Sequence, residues 1–313
     1  VTPHHALSIH ATLEAIGVAA GTPYVAGCSG KGVIAGGCEI EAGPAIGVLA
    51  VASDSIRATP FLFRDEGDFG LTAGRRLGER LVASRGTGDL VLAWPDPLTV
   101  RPDRMLQEFG NVLRGVPVAG GVASGGSPSE PTLQFSGGQV ATGGVSGIRL
   151  GGEFRHRVAV TQGCRALGPP MEITEAHENL IMEIGGRPAM EVLRSLVPGG
   201  VLGEDAFDFL FVGLVPDSGD PEARPVEYLI RNVLTSDEDT GVIGISESVE
   251  EGQRVVFAVR EGAAARADLQ RVVEELLAGE DPGRFRFGLY FDCLARGRAL
   301  YREDGVDAAL LSR

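Results

Sequence analysis

The chain has 313 residues, 42 acidic against 28 basic side chains and a formal charge of -14, with 43% hydrophobic residues, 46 glycines and 6% aromatics. That length holds two ordinary domains or one two-part body with a buried core, and the hydrophobic share argues against disorder. The negative surplus repels nucleic-acid phosphates and anionic lipid, and no apolar stretch approaches the roughly 20 residues that span a bilayer.

The first predicted element is a helix. Thr2 stands as its N-cap with Pro3 at the first helical position, Ala6, Ile9, Leu13 and Ile16 form its buried face, and Gly17 ends it. A short strand, Pro23 to Gly27, then runs into the turn Gly27-Cys-Ser-Gly-Lys-Gly32. This turn lacks the spacing of a phosphate-binding P-loop, because Lys31 is followed by Gly32 and not by Ser or Thr. Its amides are expected to hold a small carboxylate instead, since a nest of N–H groups carries positive partial charge. Glu39 and Glu41 alternate to one side of the next strand and face either a cleft or water. A further strand is predicted over Ala45 to Val51, and an amphipathic helix over Leu71 to Leu81.

From residue 89 the same order recurs. Asp89 to Trp94 reads as a buried strand and Pro95, Pro97 and Pro102 punctuate the turn. Leu106, Phe109 and Leu113 lie on one helical face that stops at Gly115, and Val116 to Gly121 forms a strand entering a turn at Ser124-Gly-Gly126. Val25-Ala-Gly27 matches Val118-Ala-Gly120, so the two stretches read as copies of one unit. Strands follow at 143–150 and 158–160, with the seam between halves placed at 150–168. Beyond it lie a strand at 179–184, the turn Gly185-Gly186 and a helix over 189–197. Strands at 207–214 and 254–259 and a helix over 265–277 come next. A third copy begins with the alternating strand Phe285 to Asp292 and a helix at 306–311, and is expected to lack its last segment.

Chemistry-bearing residues are few. The four cysteines Cys28, Cys38, Cys164 and Cys293 form no C-x-x-C pair and the five histidines show no ligand spacing, so no metal, cofactor or disulfide framework is expected. The absence of a leader-like opening adds to the expectation of a reducing cytoplasm. Cys28, inside a glycine turn at a strand end, is either a nucleophile or a residue that packs or lines a ligand. Arg231 follows the apolar run Tyr228-Leu-Ile230, and Arg296 follows the strand ending at Cys293. Each guanidinium fork takes either a ligand carboxylate or one of the protein's own acids.

The residues also carry a family resemblance. Thr2-Pro-His-His5, Gly27-Cys-Ser29, Glu39-Ile-Glu41-Ala-Gly-Pro44 and Trp94-Pro-Asp-Pro97 resemble the N-terminal FIST domain. Gly168-Pro-Pro170, Asn179, Gly186-Arg-Pro188, Tyr228-Leu-Ile-Arg-Asn232 and Phe291-Asp-Cys-Leu-Ala-Arg-Gly297 resemble the C-terminal one. The resemblance implies a sensory module that recognises small molecules such as amino acids and acts beside a downstream signalling protein; it names no catalytic residue. The combined expectation is an α/β protein of two similar halves, residues 1–155 and 156–313, with packed sheets flanked by helices in a layered α-β-β-α body. Cys28, Ser29, Arg231, Asn232, Cys293 and Arg296 are expected to line a ligand site. The alternative is a thiol-dependent hydrolase or transferase built on Cys28.

Overall fold

The computed structural model describes residues 1–64, 66–82, 89–125, 127, 130–197, 209–216 and 228–312. It is a mixed α/β protein with helices flanking sheets in both halves. Two compact units emerge, Val1–Ala159 together with Leu276–Arg313, and Val160–Glu275.

The first unit opens with a 3-10 turn, Pro3–Ser8, that continues into α1 (Ile9–Ala20). Thr2 stands at its N-cap position ahead of Pro3, as expected, but its side chain makes no capping hydrogen bond. Its Oγ1 accepts from the Ala45 amide at 2.9 Å and its own amide donates to the Ala45 carbonyl, so the side chain joins two distant segments. Nor does Gly17 end the helix. The chain continues to Gly21, whose φ of 63° lets the Gly21 amide reach the Val18 carbonyl and the Thr22 amide reach Gly17, a Schellman closure. Ile9 and Leu13 are buried as the periodicity requires, and pack on Phe135. That ring belongs to a three-stranded sheet in which β1 (Ala26–Cys28) pairs with β7 (Leu133–Ser136), and β7 with β8 (Gln139–Thr142). A Cβ on Gly27 would sit 2.7 Å from the Phe135 ring, which is why the turn sequence needs glycine there.

Between β1 and β7 run the hairpin β2 (Val33–Ala35) and β3 (Cys38–Ile40), then β4 (Ile56–Phe63), α2 (Leu71–Val82), β5 (Leu90–Pro95), α3 (Pro102–Val112) and β6 (Val118–Gly120). With β9 (Val145–Gly152) they form a four-stranded sheet of order β4-β9-β5-β6, in which only β5 and β6 are parallel. Phe61, Leu77, Leu81, Val91, Met105 and Phe109 fill the layer between this sheet and the helices α2 and α3. Where β9 meets β5, Arg149 donates to Asp89 at 2.8 and 3.0 Å in a buried ion pair.

The second unit holds β10 (Cys164–Ala166), β11 (Met171–His177), β12 (Leu180–Ile184), β13 (Arg187–Pro188), α4 (Ala189–Leu196), β14 (Leu210–Leu214), β15 (Leu229–Ser236), β16 (Ile243–Ile245) and β17 (Arg254–Arg260). Pairing passes β17-β11-β12-β16-β15-β14 and returns to β17, so the antiparallel sheet closes on itself around Ile173, Ile181, Leu193, Val212, Ile243 and Phe257. The helix α5 (Gly262–Leu277) leads out of this unit. In the first unit α6 (Arg298–Tyr301) and α7 (Val306–Leu311) end the regular structure.

Three apolar stretches differ from expectation. Residues 45–51, 158–160 and 285–292 make no strand ladder. Alternation marks an extended chain with one apolar side but does not supply a hydrogen-bonding neighbour. Residues 207, 208 and Gly126 from the expected strand and turn lie outside the described residues.

Candidate functional site

Two polar assemblies of the first unit contain four of the six expected site residues. The first is built where the repeated turns meet. The Ser29 amide donates to the Leu133 carbonyl at 2.8 Å while Ser29 Oγ accepts from the Leu133 amide at 2.9 Å, which leaves this serine buried. The Ser124 amide donates to the Ser29 carbonyl, and Ser124 Oγ accepts from the Lys31 amide at 2.8 Å. The Gly30 amide is also spent, on the Val1 carbonyl. A nest for an anion therefore does not form here: the amides of Ser29, Gly30 and Lys31 already donate inside the protein.

Behind the turn lies a buried network that the residue pattern did not announce. Asp96 accepts from Thr132 Oγ1 at 2.6 Å and from Thr99 Oγ1 at 2.8 Å, and Gln134 Nε2 donates to Thr132. Gln134 is the β7 partner of Cys28. Burial pushes the Cys28 thiol up to about 11, the opposite of what a nucleophile requires.

The second assembly surrounds Arg296. Its Nε and Nη2 donate to the two Asp307 oxygens at 2.8 and 2.9 Å, and Nη2 also reaches the Tyr301 hydroxyl. Tyr290 and Tyr301 donate to the same carboxylate at 2.9 and 2.7 Å. Asp307 is fully buried, and these donors hold its carboxyl below the ordinary range although burial opposes them. Asp292 stands 3.4 Å from Arg296 Nε. Burial, opposed by Arg296 and reinforced by Asp307 and Glu39, pushes the Asp292 carboxyl up to about 6. Arg296 is 8% exposed, and its Nη1 is buried with no hydrogen-bond partner.

Glu39 on β3 and Glu41 just beyond it hold the backbone of this assembly. Glu39 Oε1 accepts from the Ala308 amide at 2.6 Å and Glu41 Oε1 from the Arg298 amide at 2.7 Å. Gly297, at φ 68°, lies so close to the Glu41 carboxylate that a Cβ would collide with it. The expected alternation of Glu39 and Glu41 toward one side thus has a partner: a backbone segment more than 250 residues away. Cys293 is exposed beside Asp292, and its carbonyl accepts from the Arg296 amide.

Arg231 and Asn232 lie on β15 of the second unit. Arg231 pairs with Glu247 and donates Nη1 to the Ile230 carbonyl, while Asn232 is held through its backbone by Ser246. Of the two partners open to each arginine fork, a ligand carboxylate or an acid of the protein, Arg231 and Arg296 both meet acids of the protein. Sequence reasoning missed Tyr290, Tyr301 and Asp307 as partners. The available signal was Asp307, a charge set between the apolar Val306 and Ala308 in a predicted helix.

A model of the FIST N domain matches residues 1–187, and one of the FIST C domain matches residues 189–312. The chain belongs to the FIST family. FIST domains are generally regarded as sensory and signal-transduction domains. Among curated relatives, the uncharacterized protein Rv0628c of Mycobacterium tuberculosis (strain ATCC 25618 / H37Rv) is 36% identical over 288 residues, 91% of this chain and 73% of that protein. The uncharacterized protein Mb0898c of Mycobacterium bovis is 35% identical over 291 residues, 92% and 73% of the two chains. No solved structure matches. The FIST motif residues fall on both assemblies: Asp96 comes from Trp94-Pro-Asp-Pro97, and Asp292, Arg296 and Gly297 come from a single seven-residue run. Among the described residues no helix is long and apolar enough to cross a membrane, and no group of His, Cys, Asp and Glu has the arrangement to hold a metal ion.

Proposed function

We propose that this FIST protein is a cytoplasmic sensory module that binds a small metabolite, an amino acid or a related compound, and passes occupancy to a signalling partner without chemical turnover. The observation that carries this reading is Arg296: a guanidinium buried to 8% exposure with Nη1 unsatisfied, beside a carboxyl displaced from its ordinary protonation range. Such displaced groups concentrate at functional sites. Cys293 and Arg296 are the proposed ligand contacts of this assembly, and Cys28 and Ser29 supply the neighbouring turn. Arg231 and Asn232 are proposed as contacts on the second unit. The thiol-enzyme alternative is disfavoured, because a thiol near 11 is ionised in only about one molecule in ten thousand at pH 7.

A thermal-shift screen of amino acids and common metabolites tests the proposal, since a ligand that binds only the native state raises its melting temperature. At least one compound is expected to give a concentration-dependent rise that Arg296→Lys diminishes. A screen without any such compound would sink the sensory reading.

A further inference from the structure

We infer that the Arg296 assembly takes a small organic ammonium carrying an uncharged oxygen acceptor, an amino amide or amino alcohol, in preference to a carboxylate or a zwitterionic amino acid. This rests on the assembly being the ligand site proposed above, and it narrows the chemistry of what that site admits.

One guanidinium, Arg296, faces three carboxylates: Asp307 bonded to it, Asp292 at 3.4 Å, and Glu39, which lies close enough to act on Asp292. With all four ionised, two negative charges are left over. The flanking groups do not reverse this sign, because Arg298 lies 3.6 Å from Asp304 while Glu41 adds a further carboxylate. A ligand carboxylate placed on Nη1 would enter this surplus and add to it. An amide or hydroxyl oxygen would satisfy Nη1 without adding charge.

Other donors that might stabilise an anion are already committed. Both tyrosine hydroxyls, Tyr290 and Tyr301, donate to Asp307, and burial raises each phenol above its ordinary range, so they remain protonated in that role. The amides of Arg298 and Ala308 are spent on Glu41 and Glu39. Asp292 is the more loosely held carboxylate: Arg296 Nε stands 3.4 Å and the Tyr290 hydroxyl 3.5 Å from it, against four close donors on Asp307. Its side chain is 17% exposed, next to the exposed Cys293, and burial, opposed by Arg296 and reinforced by Asp307 and Glu39, pushes it up to about 6. An ammonium beside Asp292 compensates its charge. The carboxylates are not arranged to hold a metal ion, which leaves an organic cation as the fitting partner.

The two requirements lie on one guanidinium's surroundings: a positive group at Asp292 and a neutral acceptor at Nη1. They define a ligand with a charged nitrogen and an uncharged oxygen a few bonds apart. Because Asp292 must be ionised to receive the ammonium, binding is full above pH 7 and declines as the pH falls through about 6.

The test compares matched probes on the full chain by isothermal titration and by amide chemical shifts of residues 290–308. Glycinamide and leucinamide are set against glycine and leucine, and against acetate and N-acetylleucine. At pH 7.5 at least one amino amide is expected to bind tenfold or more tightly than its parent amino acid, with no binding of the two carboxylates. Its affinity is expected to fall about fourfold at pH 5.5. Asp292→Asn should weaken it tenfold or more and remove the pH dependence, while retaining the fold as judged by circular dichroism. Tighter binding of an amino acid or carboxylate than of the amides overturns the inference but leaves the assembly as a ligand site. Absence of binding by every probe also overturns it. The metabolite screen judges the sensory reading separately: a hit indifferent to Asp292→Asn and Arg296→Lys places sensing elsewhere in the protein.

Discussion

Asp292 keeps its proton in the folded state up to about pH 6, whereas in the unfolded chain it loses it near 3.8. Between those values the native state binds the extra proton, so this group's contribution to stability falls as the pH rises through the window and stays low above it. Asp292→Asn is therefore expected to stabilise the unliganded protein by about 1–3 kcal/mol at pH 7.5 and to give no gain at pH 4, read from urea midpoints at the two values. Cys28 offers a second check at this scale. With its thiol held up near 11, iodoacetamide at pH 7.5 should label the exposed Cys38 and Cys293 well before Cys28; prompt labelling of Cys28 would restore the nucleophile reading. Arg149 and Asp89 illustrate the opposite case, a buried pair that compensates itself. Arg149→Ala removes the cation bonded to the buried Asp89 carboxylate and is expected to cost about 3–5 kcal/mol, measured by denaturant unfolding.

Helices were legible from the residue pattern, and the reasons are local. The buried faces of α1 and α2 follow from apolar spacing, whereas Ala6 and Leu106, expected on buried faces, are exposed and Met105 takes the buried place beside Phe109 on α3; the fault at Gly17 arose because glycine ends a helix only where the chain also turns left-handed. That turn falls at Gly21, where a Cβ would meet nothing within 4 Å. Gly21→Ala therefore isolates the conformational term, and a loss of about 1 kcal/mol is expected from thermal unfolding, with Gly21→Asn less costly. The stretches 45–51, apolar, and 285–292, alternating, were legible as extended but not as unladdered, because pairing depends on a neighbour that neither pattern names. For the same reason the carboxylates of Glu39 and Glu41 could be placed on one side but not assigned to Arg298 and Ala308. Arg296 was recognisable as a candidate from its position after a strand. That its fork was already filled by Asp307 was not, since an acid eleven residues along and an outside carboxylate leave the same trace in a sequence.

In the whole molecule, the family boundary near residue 188 and the boundaries of the compact units do not coincide. Residues 160–187 belong to the FIST N match but lie in the second unit, and residues 276–312 belong to the FIST C match but lie in the first. The excursion from 160 to 275 has its own closed sheet and its own core. An isolated 160–275 fragment is accordingly expected to unfold cooperatively in urea; a gradual, featureless transition would show that its core does not suffice.

The bond from the Ala308 amide to Glu39 closes a span of 269 residues. At a ribosomal pace of roughly 5–20 residues per second, Glu39 waits on the order of 15–55 s after its own synthesis before its partner exists. Throughout that interval the repeated turns, α1 and the closed sheet can form while the Arg296 assembly cannot. The assembly is thus completed only once residues 290–308 have been made, and a chain arrested before residue 290 would lack it.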